Sequence, residues 1–219
     1  MTDSQTRAPE PATNSATSAI VGSLTHPQKA GGKVRVFDDG LPRCSWLNLD
    51  PLYIEYHDTE WGVPVHGNNE MFERVALEGF QAGLSWFTIL KRREGFRSAF
   101  HGFDLERVSA MTPAEAEALM EDTGIIRNRA KIAATINNAR VALELPEGLS
   151  ELLWSFAPAE PRQAAIDGGF EWHATSPESD AMSKELKKRG FGFVGSTTMY
   201  ALMQATGMIP DHAPGCFRH

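Results

Sequence analysis

Two cysteines and two histidines stand near the two ends of the part of this sequence that can form a globular domain. Cys44 and His57 lie in CSWLNLDPLYIEYH, whereas His212 and Cys216 lie in DHAPGC. Two thiolates and two imidazoles are a suitable tetrahedral ligand set for zinc, and four protein ligands leave no open position for catalysis. We therefore predict a structural zinc ion that joins the two ends of the domain. Each half of the set is a weak signal alone, and a disulfide between the two cysteines is the alternative in an oxidising compartment.

An acidic residue, Glu78, falls within the apolar stripe of a segment with helical spacing, NNEMFERVALEGFQAGLSWFTILKRREGFRSAF. The stripe is formed by Met71, Val75, Ala82 and Ile89. A carboxylate on such a face is costly unless it is hydrogen-bonded, protonated or opposite a cation. The common alternative is an ion pair with Arg74, one helical turn earlier.

Aromatic side chains are concentrated near these residues in the sequence. The opening stretch contains Trp46, Tyr53, Tyr56 and Trp61, and Trp86 follows two turns beyond Glu78. Such rings usually belong to a core. A cluster beside a buried acid can instead form a slot for a flat, positively charged ligand, because ring faces attract cations.

The stretch LMEDTGIIRNRAKIAATI is typical of two helices joined by a tight turn at Gly124. Its main-chain N–H groups and the start of its second helix could bind a phosphate, and Arg127, Arg129 and Lys131 add positive charge. An ordinary helical hairpin is the alternative. The basic run KELKKRG favours a solvated face.

The elements that must position these residues are predicted to be helices. Asp50 can cap a helix that begins at Pro51, and Thr112 with Glu115 is the signature of a second capped helix, which Gly124 would end. Further helical segments are DLERVSAM, RAKIAATINNARVALEL, LSELLWSF, SPESDAMSKELKKRG and GSTTMYALMQATG. No β-alternation is found, so the sequence predicts an all-α fold.

Composition sets the outer limits of organisation and function. Residues 1–35 are rich in Ser, Thr, Pro and Ala and are predicted to be a disordered tail, whereas residues 36–219 form the globular domain. The formal charge of −7 argues against a broadly basic nucleic-acid coat but allows a local basic face. No membrane segment or secretion signal is recognised, so we expect a cytoplasmic protein, taken to be a monomer.

The motifs together resemble the 3-methyladenine DNA glycosylase I family. They are RCSWLNLDPLYIEYHDTEWGVP, LEGFQAGLSWFTILKRREGFR, GIIRNRAKI, SKELKKRGFGFVGSTTMYALMQATG and DHAPGCFRH, and the resemblance spans about residues 43–219. It implies a helix-hairpin-helix DNA glycosylase with two helical lobes and a zinc ion at its termini. It also implies that the protein removes 3-methyladenine from alkylated double-stranded DNA by hydrolysis, without cutting the strand.

The resemblance also implies roles for individual residues. The zinc ligands would be Cys44, His57, His212 and Cys216. Glu78 and Tyr56 would be the catalytic pair that hydrogen-bonds the base. Trp86 would stack on the base, while Trp46 and Tyr53 complete the pocket. The DNA-contacting residues would be Gly124, Ile125, Arg127, Arg129 and Lys131. Apart from the resemblance, Leu84 and its neighbour Gly83 are the candidates for a wedge in the gap left by the base.

Two departures qualify this interpretation. Phe80 stands where one member of the family has glutamine, in LEGQQAG, which bears on pocket selectivity. Helix-hairpin-helix glycosylases generally carry a catalytic aspartate after the hairpin, yet no aspartate occurs between Asp122 and Asp167. A base that already carries positive charge is a good leaving group and needs little general acid catalysis.

Two rival functions are a zinc hydrolase and a zinc-stabilised module that binds damaged DNA without releasing a base.

Overall fold

A computed structural model describes residues 33–159 and 170–219, together with Met1. The predicted disordered tail, residues 1–35, lies outside the described residues except for Met1 and residues 33–35. No helix in the described ranges is long and apolar enough to cross a membrane.

The described chain is mostly helical, as predicted. Two short strands, β1 (Val34–Val36) and β2 (Pro42–Cys44), come first. The helices are α1 (Pro51–Thr59), α2 (Asn68–Gln81), α3 (Trp86–Leu90), α4 (Arg93–Ala99), α5 (Leu105–Ser109), α6 (Pro113–Ala118), α7 (Arg129–Leu143), α8 (Leu149–Trp154), α9 (Pro177–Lys188) and α10 (Ser196–Ala205), with a 3₁₀ turn at His101–Phe103.

The two short strands add a small sheet to the predicted, mostly helical fold. They form an antiparallel hairpin in which Val34 is opposite Cys44 and Val36 is opposite Pro42. The turn between them contains Gly40 at a positive φ of 79°. Strands of three residues are too short to show a period of two, so alternation could not reveal them. The hairpin matters because it holds Cys44 in a fixed backbone position.

Both predicted helix starts are confirmed. The Asp50 carboxylate accepts a hydrogen bond of 3.0 Å from the main-chain N–H of Leu52. Thr112 and Glu115 form a reciprocal capping box at the start of α6. The predicted end of that helix is wrong, because α6 stops at Ala118, well before Gly124.

The long segment around Glu78 is broken into three helices instead of continuing as one. Helix α2 ends at Gln81, Gly83 has a positive φ of 81°, and the Ser85 hydroxyl caps α3 by accepting from the N–H of Thr88. Glycine readily adopts this backbone conformation, which an α-helix cannot contain. Ala82 is therefore exposed, and the predicted stripe is wrong at that position.

Buried apolar side chains form two clusters. The larger one surrounds α2, α7 and α10. The smaller one combines residues from both ends of the domain, including Cys44, Tyr56, Trp61 and Cys216. Helix α10 packs against both α2 and α9. The N–H of Gly62 donates to the carbonyl oxygen of Ala205 at 3.3 Å, so the end of α10 lies beside the end of the N-terminal aromatic segment.

Candidate functional site

A cleft of about 330 Å³ opens between the N-terminal aromatic segment, α2, α3 and α10. Its lining residues are Trp46, Tyr53, Tyr56, Trp61, Glu78, Gln81, Trp86, Trp172, His173, Ala201 and Gln204. The five residues predicted to form a pocket all line it. Helix α1 supplies the two tyrosines, and the break after α2 directs the chain so that Trp86, at the start of α3, also faces the cleft.

The rings of this cleft contact one another and leave little freedom for rearrangement. The Trp46 ring lies 5.3 Å from that of Tyr53 and 5.1 Å from that of Trp61, measured between centroids. The Tyr56 and Trp86 rings are 5.3 Å apart and tilted by 43°. Tyr53 also stacks on Phe87 at 5.1 Å. Mutual packing of this kind fixes rotamers, so the walls of the cleft are preformed.

Glu78 is buried in the wall of this cleft, with 4% of its surface exposed. Among the described residues, no hydrogen-bond partner is found for its Oε2 atom or for the indole Nε1 of Trp86. Buried polar atoms without partners are costly and usually point to a missing ligand or water. Burial raises the pKa of Glu78 to about 8, with a smaller opposing effect of Arg74.

The alternative explanation of Glu78, an ion pair with Arg74, is not observed. The Arg74 guanidinium lies 3.4 Å from the Glu60 carboxylate. Glu60 is also bound by Arg93, whose Nη2 donates to it at 2.9 Å. Because Glu60, at the end of α1, binds both arginines, the carboxyl group of Glu78 is not paired with Arg74 and faces the cleft.

The tyrosines beside Glu78 are hydrogen-bond donors at neutral pH. Burial, and to a lesser extent the charge of Glu78, raises the pKa of Tyr53 to about 12. The same two causes raise the pKa of Tyr56 well above its ordinary value. Both tyrosines are therefore uncharged at neutral pH. The faces of their rings can attract a cation.

The four predicted metal ligands converge beside the cleft, and all four are buried. Their ligand atoms lie within 4.8 Å of one another. Cys216 Sγ lies 3.5 Å from His57 Nε2 and 3.7 Å from His212 Nδ1, and Cys44 Sγ lies 3.8 Å from His212 Nδ1. Tetrahedral zinc with ordinary bond lengths would separate sulfur from nitrogen by about 3.6 Å. The residues thus fit a metal ion of this size.

The far sides of both imidazoles are occupied by other groups. His57 Nδ1 lies 2.7 Å from the Asp58 carboxylate, and His212 Nε2 lies 3.1 Å from the carbonyl oxygen of Trp61. These contacts direct the opposite nitrogen of each ring toward the cysteines, as outer partners do in metal sites. Arg43 in turn donates to Asp58 at 2.9 Å.

The charge states of the ligands also suit a cation. Burial lowers the pKa of His212 to about 4, so the ring stays neutral and can ligate. Burial raises the pKa of the Cys44 thiol to about 12. A buried thiolate therefore requires a compensating positive charge, which a metal ion supplies.

In the connection between α6 and α7, some main-chain N–H groups are hydrogen-bonded and others are not. The Gly124 N–H donates to the Asp122 carboxylate at 2.7 Å, and the side chain of Ile125 is buried. Within the described ranges, the N–H groups of Ile125, Ile126 and Arg127 have no acceptor. Successive free N–H groups can bind an anion. Arg127 is exposed beside them.

Two of the predicted phosphate contacts have other partners. Arg129 forms a surface ion pair with Glu117, its Nη2 donating at 2.9 Å. Lys131 is only 7% exposed, and its ammonium donates to the carbonyl oxygens of Phe80 and Ala82 at 2.8 and 2.7 Å. The prediction for Lys131 is therefore corrected: its ammonium caps the C-terminal end of α2, where unpaired carbonyls attract a cation.

Leu84 and Phe80 differ in their surroundings. Leu84 is 42% exposed in the loop between α2 and α3, in a position open to a partner. Phe80 is fully buried and packs on Phe96, with ring centroids 4.5 Å apart. It does not line the cleft, so this departure from the related sequence is a matter of core packing.

Several lining residues were not predicted as site residues. Trp61 lies in the aromatic run and could have been included on that ground. Gln81 follows Glu78 by three positions, on the same side of α2. Trp172, His173 and Gln204 come from distant parts of the chain, and no spacing in the sequence links them to the N-terminal rings.

Comparison with known proteins gives one consistent result. The model of the methyladenine glycosylase family matches residues 46–219. The chain is 48% identical over 179 residues to DNA-3-methyladenine glycosylase 1 of Escherichia coli (strain K12), covering 80% of this chain and 96% of that protein. It is 43% identical over 177 residues to DNA-3-methyladenine glycosylase of Haemophilus influenzae, covering 80% and 96%.

Solved structures show the same likeness in three dimensions. A crystal structure of 3-methyladenine DNA glycosylase I aligns with a TM-score of 0.75 at 48% identity, covering 81% of this chain and 99% of that one. A Staphylococcus aureus 3-methyladenine DNA glycosylase I, solved to explain 3-methyladenine recognition, aligns with a TM-score of 0.74 at 33% identity, covering 80% and 95%. The predicted resemblance and helical fold are confirmed, and the chain belongs to the methyladenine glycosylase family, whose members are DNA N-glycosylases that hydrolyse N-glycosyl bonds.

Proposed function

We propose that this chain is a monofunctional DNA glycosylase that flips 3-methyladenine out of alkylated double-stranded DNA and releases it by hydrolysis. The observation that carries the proposal is the buried Glu78 carboxyl, whose Oε2 faces an aromatic cleft without a partner among the described residues. A flat cation satisfies both features at once, because rings attract its face and a carboxylate attracts its charge.

The cleft compensates the cost of moving the base out of the DNA stack. Flipping costs a few kcal/mol and is cheaper for a damaged base. We propose that Trp86 stacks on the flipped base, while Trp46 and Tyr53 complete the slot. The protonated Tyr56 hydroxyl and the free Trp86 N–H then act as hydrogen-bond donors to the ring. Undamaged adenine gains the stacking but not the charge attraction.

Glu78 responds to the charge of the base. With its pKa raised to about 8, the carboxyl is mostly protonated at neutral pH in the empty cleft. A bound cation favours the ionised form of Glu78, so binding at neutral pH releases the proton.

In the reaction, the bond between the sugar and the base breaks and its electron pair neutralises the base. Water then adds to the sugar carbon and gives up a proton to solvent.

The leaving group explains why the site needs no strong general acid. A 3-methyladenine nucleotide carries positive charge in the base, so departure requires no protonation. Among the described residues that line the cleft there is no lysine, which favours hydrolysis over a Schiff-base step.

We further propose that the Cys44, His57, His212 and Cys216 cluster binds one structural zinc ion. A bound zinc would neutralise two thiolates and link β2 and α1 to the C-terminal segment. Because Trp46 and Tyr56 are neighbours of these ligands along the chain, the cluster also holds the aromatic walls in register. Protein side chains would fill all four coordination positions of the zinc ion. No position would remain for a catalytic water, which argues against a zinc hydrolase.

The backbone of DNA is proposed to contact the turn before α7. Its free N–H groups at Ile125, Ile126 and Arg127 and the Arg127 guanidinium suit a phosphate. Leu84 remains our candidate for the wedge that fills the space of the flipped base. Lys131 is not part of this surface.

A base-release assay on methylated duplex DNA tests the proposal. The metal-loaded chain should release 3-methyladenine and leave the strand intact until it is treated with alkali. Arg107→Gln, a change at an exposed surface residue away from the cleft, should behave like the wild type. Tight binding of methylated DNA without release would support the rival damage-binding module, and activity that vanishes on chelation without loss of fold would support the zinc hydrolase.

A further inference from the structure

The segment 170–176 contributes a part of the cleft that lies far from the N-terminal rings in sequence. Trp172 lines the cleft and is half-buried, and it packs against the smaller apolar cluster. Its indole N–H donates to the carbonyl oxygen of Asp211 at 3.0 Å. Phe170 meets its ring nearly at right angles, with centroids 5.4 Å apart. The orientation of this indole is therefore determined by contacts on more than one side.

The acceptor for this indole is itself held firmly. The Asp211 carboxylate accepts hydrogen bonds of 2.7 Å from both the Tyr200 hydroxyl and the Gln204 amide. Both donors belong to α10, and Gln204 also lines the cleft. Asp211 precedes the metal ligand His212 in the chain. Trp172 is thus anchored to the same segment that closes the metal cluster.

Trp172 and Trp86 present different chemistry to the cleft. The N–H of Trp86 has no partner among the described residues, so it can donate to a ligand. The N–H of Trp172 is already used by Asp211, and the Lys33 ammonium lies over the ring, 5.3 Å from its centroid. The indole therefore offers a ligand only its remaining π-electron surface and its C–H edges. Such a surface discriminates by shape and charge but makes no hydrogen bond.

We infer that Trp172 is a specificity-determining residue of the base pocket, an aromatic wall anchored on Asp211 that stacks on the flipped cationic purine. The inference rests on the proposed glycosylase function and adds to it a residue from outside the N-terminal aromatic run. Stacking on one further ring favours a flat cation over neutral bases, and the fixed indole limits which substituents the slot accepts. Trp172 touches the base and takes no part in proton transfer.

Two substitutions separate the ring from its anchor. Trp172→Ala removes both the wall and its hydrogen bond, whereas Trp172→Phe keeps one aromatic ring and loses the N–H together with the smaller ring of the indole. Trp154→Phe is the matched control, because this half-buried indole also donates to a main-chain carbonyl, that of Val65 at 2.8 Å, but does not line the cleft. All variants are compared as full-length, metal-loaded proteins. Each is assayed at the same interval below its own melting temperature.

The expected result is a loss of about 10- to 100-fold in kcat/KM for 3-methyladenine release by Trp172→Ala, the range for losing one base–aromatic stack. Binding of free 3-methyladenine, measured by calorimetry, should weaken in the same direction, and affinity for undamaged DNA should not change. Trp172→Phe should recover most of the loss, and Trp154→Phe should match the wild type. If Trp172→Ala does not fold, Trp172→Leu replaces it with the same expectation.

Two outcomes would overturn the inference. Excision by Trp172→Ala within about twofold of the wild type would show that the ring does not contact the base. A Trp172→Phe variant as impaired as Trp172→Ala would assign the effect to the Asp211 hydrogen bond instead of to stacking. In both cases wild-type excision leaves the proposed glycosylase function intact, whereas a wild-type chain that releases no base would overturn that function itself.

Discussion

Replacing Glu78 by glutamine should stabilise the protein, and the gain should grow with pH. The change keeps the shape of the side chain and removes its ability to ionise. Burial raises the pKa of Glu78 from its ordinary value of 4.5 to about 8. Between these two values the folded state holds a proton that the unfolded state has released. Stability of the wild type must therefore fall as pH rises through this window.

The size of the effect follows from the raised pKa. Each pH unit between the unfolded and folded values changes the free energy of unfolding by about 1.4 kcal/mol for one proton. From about pH 5.5 to pH 7.5 the advantage of Glu78→Gln over the wild type should therefore increase by roughly 2–3 kcal/mol, given a folded pKa of about 8. Any constant cost of fitting the amide cancels in this difference.

Urea denaturation at several pH values, with metal-loaded protein, measures the effect directly. Protons bound by the metal ligands and by other groups contribute equally to both proteins and cancel. Glu106→Gln, which replaces a solvent-exposed carboxylate, is the matched control. Parallel curves for Glu78→Gln and the wild type would show that Glu78 is ionised in the folded protein, and the argument from a buried neutral acid would be refuted.

Four further predictions follow from the contacts at the site. The kcat/KM of the wild type for base release should rise toward a plateau above about pH 8, because only ionised Glu78 complements the cation, while Glu78→Gln should show a flat and lower profile in single-turnover assays. Lys131→Met should cost about 1–3 kcal/mol of stability in urea denaturation, since a buried and a partly buried carbonyl lose their donor, and should leave the salt dependence of DNA binding unchanged. Arg127→Ala should weaken binding to all DNA sequences alike and reduce the slope of log affinity against log salt by about one, a result that an unchanged slope would contradict. Asp58→Asn should weaken metal binding about 10- to 100-fold in chelator competition, because His57 loses the carboxylate that orients it.

The cost of a buried acid explains why such a residue indicates function. Natural proteins retain local features that lower stability where a ligand later compensates them. The Oε2 atom of Glu78 and the N–H of Trp86 are both buried and unpaired within the described ranges, and both residues line one cleft. A single flat, cationic ligand would satisfy both.

Local chemistry made several features readable from the sequence. The starts of α1 and α6 were predicted from Asp50 and from Thr112 with Glu115, because a cap depends on residues within one helical turn. The convergence of the two cysteines and two histidines was predicted from residue types, since four good metal ligands at the ends of a domain have few other common uses. The acid in an apolar stripe was visible because helical periodicity shows which face a residue occupies.

For several residues the sequence allowed two alternative sets of partners, and only the tertiary structure decided between them. Helical spacing allowed Glu78 to pair with Arg74, but Glu60 at the end of α1 binds that arginine instead. A lysine in a basic turn suggested a phosphate contact, but Lys131 lies opposite two unpaired carbonyls at the end of α2. Trp172 reaches the cleft because Asp211 holds its indole. Each outcome depends on partners from distant parts of the chain, whereas sequence spacing determines only which neighbours lie within a few residues.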